Sequence, residues 1–113
     1  MKTLYHASSW KDLANMNVGE TFILKPGTQC AEGLGVYFSE GLPRVSAADS
    51  VRLHGMTAIV KIEVTDAKGW WRTKLGICKK FNRPRTWHTK SKSMECKVTK
   101  VEGNIIHCDW TWK

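Results

Sequence analysis

Apolar and polar positions along the chain fall into several short β-like runs and few helical ones. From Thr57 to Thr65 they alternate over the second half of the segment, which predicts a strand. Met94 to Lys100 and Asn104 to Trp112 predict two closing strands, joined by a turn at Glu102-Gly103-Asn104. Lys2 to His6 reads as a short first strand. Thr21 to Leu24 is a brief apolar run stopped by Pro26-Gly27, and Val36-Tyr37-Phe38-Ser39 is a second compact β-prone run.

Helical spacing appears twice. Trp10, Leu13, Ala14 and Met16 offer one face of a short helix from about residue 10 to 16, with Ser8 or Ser9 as its cap and Asn17 and Gly19 as its end. The stretch from Arg44 to His54 lacks breakers, places Val45, Ala48 and Val51 near helical spacing, and is closed by Gly55. Residues 66–93 carry no sustained period and read mainly as loop. This order of elements predicts an α+β fold: a compact, split, mostly antiparallel sheet with two short helices.

At 113 residues the chain has room for one domain with one core, so residues 1–113 are expected to form a single unit. No run approaches the roughly 20 apolar residues of a membrane span, and the polar start at His6, Ser8 and Ser9 offers no signal-peptide core. A cytoplasmic monomer without a membrane partner is expected. Cys30, Cys78, Cys96 and Cys108 lie far apart, with no CxxC pair and no histidine at ligand spacing. Free thiols are therefore favoured over disulfides or zinc, and no metal is expected.

Charge changes the picture more than composition does. The formal net charge is +8. Lys68, Arg72, Lys74, Lys79, Lys80, Arg83, Arg85, Lys90 and Lys92 fall in one stretch without an acidic residue, beside Trp70, Trp71, Phe81 and Trp87. Like charges packed this densely repel, so a polyanion would relieve them, and aromatic faces beside Lys and Arg suit unpaired bases. The plainer alternative is a solvated basic loop whose tryptophans are core.

Two motifs, in order, resemble the ADP-ribosyltransferase superfamily in its His-Tyr-Glu branch, which holds the diphtheria-toxin-like and poly(ADP-ribose)-polymerase-like enzymes. They are Leu4-Tyr5-His6-Ala7-Ser8 and Gly33-Leu34-Gly35-Val36-Tyr37-Phe38-Ser39. Ser46-Ala47 stands near the place of the family's Ser-Ala pair, and Glu95-Cys96-Lys97-Val98 fits its Glu-x-x-Val strand. The resemblance runs from residue 4 to about residue 112 and implies an enzyme that consumes NAD.

In that reading His6 holds a ribose, the backbone of Ala7 grips the carboxamide where relatives carry Gly, and Tyr37 stacks on the nicotinamide. Ser46 bonds the amide, and Glu95 stabilises the oxocarbenium-like state; Glu102 is a rival acid with no motif around it. Ser8 and Gly35 complete the implied cofactor set. Ser93 stands where arginine-modifying relatives carry a second acid, so arginine is disfavoured as acceptor. The implied activity is transfer of ADP-ribose to a macromolecule: a tRNA, DNA or an acidic protein face. It would be met at Trp70, Trp71, Arg72, Lys79, Lys80, Arg83, Arg85 and Trp87. Two alternatives remain: an RNA 2′-phosphotransferase-like NAD consumer, and a catalytically silent nucleic-acid- or protein-binding module. They differ on Glu95, which an enzyme needs facing Tyr37 and His6 across one cleft.

Overall fold

The computed structural model describes residues 1–8, 11–27, 35–40, 58–72 and 86–113. Eight strands build one sheet in the order β2-β7-β8-β4-β1-β3-β6-β5. They are β1 (Lys2–Ser8), β2 (Thr21–Leu24), β3 (Tyr37–Ser39), β4 (Ala58–Val64), β5 (Trp71–Arg72), β6 (Thr86–His88), β7 (Met94–Glu102) and β8 (Ile105–Trp112). β4 and β8 run parallel, and every other pairing among the described strands is antiparallel.

The alternation of the sequence becomes the two faces of this sheet. Residues opposite one another across a ladder share a face. Leu4 lies opposite Ile62, His6 opposite Val60, and Val60 opposite Ile106. Cys96 lies opposite both Trp110 and Phe22. This face gathers the core: Leu4, Phe22, Leu24, Phe38, Val60, Ile62, Met94, Val98 and Ile106 are all buried. Leu13 adds its side chain from outside the sheet.

The closing hairpin turns on Gly103, at φ +59, between Glu102 and its partner Ile105. A glycine in the first central position with positive φ suits a two-residue hairpin, because its twist matches that of the strands. A register shift between Val98 and Lys100 leaves Thr99 as an extra residue in β7.

Three expectations are corrected. First, the fold is not α+β with a split sheet. One continuous mixed sheet carries the described residues, with β4 and β8 as its parallel pair. Second, the helix expected over residues 10–16 is a short 3-10 segment, Lys11–Asn15, with Leu13 as its buried anchor. A segment this short gains too few i→i+4 bonds to offset helix nucleation, and the tighter 3-10 turn suffices to seat one side chain. The helix expected over residues 44–54 lies outside the described residues. Third, the basic stretch is not simply loop, since Trp71–Arg72 and Thr86–His88 add two strands to the end of the sheet.

Candidate functional site

His6 and Tyr37 meet where β1 and β3 diverge. The two strands pair at Tyr5 and Ser39. One rung further on, the His6 Nδ1 lies 2.8 Å from the Tyr37 carbonyl oxygen. A carbonyl accepts and does not donate, so Nδ1 carries the proton and Nε2 keeps its lone pair. Burial lowers the imidazole below its usual pKa, against the opposing pull of the Tyr37 carbonyl, so the ring is neutral at pH 7. His6 packs on Phe38, with ring centroids 5.2 Å apart.

The Tyr37 ring points the other way. Tyr37 shares the face of Tyr5 and Ala7, opposite to that of His6 and Phe38. It is buried and stacks on His88 across the β3–β6 ladder, with centroids 5.1 Å apart and planes within 14°. Gly35 packs beneath this stack. A Cβ there would lie 3.2 Å from the His88 Cβ and 3.3 Å from Tyr37 Cε2, so glycine is what permits the approach. Thr89 ties the corner together: its Oγ1 accepts the Val36 N–H at 3.1 Å and donates to the Lys92 carbonyl at 2.9 Å.

Glu95 does not join them. It lies on β7 between Ile23 of β2 and Thr111 of β8, three strands from β1 and four from β3. At strand spacing that is about 14 and 19 Å. Its face is opposite to that of Cys96, and Cys96 shares the face of His6. Glu95 is exposed and lines a shallow cleft with Thr21, Phe22, Ile23 and Lys25 at the far edge of the sheet. The expected single cleft of His6, Tyr37 and Glu95 is therefore corrected: pairing of β7 with β2 and β8 carries the carboxylate away.

The described residues accordingly fit NAD only in part. The half-buried His6 ring, with Nε2 free to accept, suits a ribose hydroxyl. Tyr37 has one ring face on His88, and Glu95 supplies no charge nearby. Ala7 and Ser8 end β1 beside this corner, half-buried, while Ser46 lies outside the described residues.

The expected acceptor surface divides by strand alternation. Trp70 is 7% exposed and packs edge-on against Phe38 at 5.3 Å and Trp110 at 5.5 Å, so it is core and offers no face for stacking. Its neighbour Trp71 is 50% exposed, on the edge strand β5 beside the exposed Arg72. Lys90 Nζ sits 3.4 Å from the centroid of the Trp71 ring. Lys90 itself adopts φ +53, an uncommon backbone setting for a side chain with a Cβ. Trp87 is half-buried, with Lys2 Nζ 5.2 Å from its ring centroid. Lys79, Lys80, Arg83 and Arg85 lie outside the described residues.

Sequence reasoning missed His88, and named Lys90 in the basic stretch without placing it in the acceptor set. Thr86-Trp87-His88 alternates buried, half-buried and buried, a signal that three residues amid basic neighbours are too few to reveal. Cys96 and Cys108 are free thiols, and burial pushes both up to about 12, which keeps them protonated. Among the described residues no group of His, Cys, Asp or Glu is placed to hold a metal ion, and no helix is long and apolar enough to cross a membrane. No protein-family model, curated protein or solved structure matches this chain.

Proposed function

We propose that the chain is a basic module that holds nucleic acid along the β5–β6 end of its sheet. The observation that carries this reading is Trp71: an exposed indole on an edge strand, with the Lys90 ammonium over its ring and Arg72 beside it. Cation and aromatic face together suit a phosphate chain with accessible bases, and a net charge of +8 favours encounter with a polyanion. The separation of Glu95 from His6 and Tyr37 supports a binding role over the expected enzyme. The test is a gel-shift and anisotropy titration with tRNA and with DNA at two salt concentrations. Binding that weakens steeply with salt, and weakens further in the Trp71→Ala, Lys90→Ala double variant, is the expected result. Absence of binding at tens of micromolar protein in low salt sinks the proposal.

A second reading is NAD-dependent ADP-ribosyl transfer to a macromolecule, favoured by one observation. The neutral His6 ring, its Nδ1 proton engaged by Tyr37, offers Nε2 to a hydroxyl such as that of a ribose. Glu95 has no part in this reading. Nicotinamide release from NAD that requires His6, with or without tRNA or DNA, would establish it. An NAD-dependent rise in melting temperature without release would mark a silent site.

A further inference from the structure

At the end of β8, two tryptophans from outside the basic stretch join its two end lysines in a second aromatic and basic feature. Trp110, Trp112, Lys68, Lys92, Thr65 and Asp66 line a cleft of about 360 Å³, within the range of small-ligand pockets. We infer that this cleft takes one unpaired base of a single-stranded nucleic acid, stacked on the Trp110–Trp112 wall, with its flanking phosphates on Lys68 and Lys92. The inference rests on the proposed function and adds the site and the strandedness of the ligand.

The wall is built before any ligand arrives. The buried Trp70 holds both indoles from behind, at 5.5 Å from Trp110 and 5.3 Å from Trp112, and the two indoles meet nearly edge-on at 4.9 Å. Trp110 Nε1 donates to the Glu63 carbonyl at 2.8 Å, which fixes that ring in its plane. Gly69, at φ +87, brings the chain so close that a Cβ would lie 3.0 Å from Trp112 and 3.1 Å from Lys92 Nζ. Rings fixed in advance lose little freedom on binding, so a stacking contact keeps most of its strength.

The charges suit a nucleotide chain better than an isolated apolar guest. Lys92 Nζ stands 5.3 Å from the Trp112 centroid, and both Lys92 and Lys68 are exposed. Asp66 is the one acid in the lining, and its Oδ1 accepts the Lys68 backbone N–H at 3.0 Å. That leaves two lysines against one acid in the lining, with one carboxylate oxygen turned to the backbone. Along the chain, Lys68 and Lys92 of the cleft stand three and two residues from Trp71 and Lys90, while strand alternation turns Trp71 to the opposite face of the sheet from Trp110 and Trp112. A single strand can turn an unpaired base into the cleft, while a rigid duplex keeps its bases paired and away from the indoles.

The test compares a 12-nucleotide single-stranded RNA with the corresponding blunt duplex by anisotropy, using the intact protein. Tighter binding of the single strand is expected. Trp112→Leu should cost about 5- to 150-fold on the single strand, the range for one base–aromatic stack, and little on the duplex. Because Trp112 also supports the core, the exposed pair Lys68→Ala and Lys92→Ala provides an independent arm. It should flatten the salt dependence of single-strand binding by about two phosphate contacts. Equal affinity for duplex and single strand overturns the inference, as does an unchanged salt slope in the lysine variant. Competition by AMP alone at similar concentrations also overturns it, by assigning the cleft to free nucleotides. In each of these cases RNA still binds, so the proposed function survives; absence of all RNA binding removes both.

Discussion

The two ends of the sheet are built by different means. On one side, β2, β7, β8, β4 and β1 include the long strands: β7 has 9 residues, β8 has 8, and β1 and β4 have 7 each, with the 4-residue β2 at the edge. On the other, β3 and β6 have 3 residues each and β5 has 2. The long strands are held by repeated backbone bonds and an alternating apolar face. The short ones have few rungs, and add to the buried Phe38 a set of rings and single bonds: His6 to Tyr37, Tyr37 on His88, Thr89 between Val36 and Lys92. Strand length thus separates a scaffold from a surface. The Trp71–Lys90 pair sits where regular pairing contributes least, whereas Trp110 and Trp112 sit at the end of the longest ladder.

This comparison can be broken most directly at Trp70, the residue that joins the two halves. Trp70→Ala should destabilise the fold by about 3–5 kcal/mol, because it removes an indole packed against Phe38, Trp110 and Trp112 at once. Urea unfolding checks this; a loss below about 1 kcal/mol would show that the tryptophan cluster is not part of the core. Thr89→Val keeps the shape but strands the Val36 N–H and the Lys92 carbonyl, and should cost about 1–3 kcal/mol. If the short strands were held by pairing alone, that variant would melt like the wild type.

His6 gives the same corner a pH dependence. Its folded-state pKa is lowered, so below about pH 6.5 the unfolded chain takes up a proton that the folded chain resists. The contribution is complete above pH 6.5, declines as pH falls from there, and levels off below the folded pKa. Melting temperatures between pH 8 and pH 5 should therefore fall less steeply in His6→Gln than in the wild type. The smallest effect is expected at Trp71→Ala, below about 1 kcal/mol in stability, since the indole is half exposed on an edge strand with Lys90 over its ring. A large loss there would move Trp71 from surface to scaffold.

The long strands were legible because their period is repeated. Ala58, Val60, Ile62 and Val64 announce β4, and the turn at Gly103 announces the hairpin, almost residue by residue. The first helix was misjudged because Trp10, Leu13 and Met16 satisfy helical spacing over a stretch too short to sustain a helix. Thr86-Trp87-His88 was missed for a related reason: three residues show no period, and their pairing with β3 is a contact across the chain. The candidate site fared similarly. His6 and Tyr37 were brought to adjacent strands, but on opposite faces, and Glu95 was carried to the far side of the sheet.

By itself, then, the sequence determined which segments become long strands, where the closing hairpin turns, and that basic and aromatic residues crowd residues 66–93. These follow from local periodicity, backbone preference and charge, all properties of neighbouring residues. Only the tertiary structure decided that Trp70 is core while Trp71 is surface, and that Trp110 and Trp112 form a wall beside Lys68 and Lys92. It also decided that Glu95 stands apart from His6. Those outcomes depend on strand order and facing, which are set by contacts between residues distant in the chain and leave no local mark.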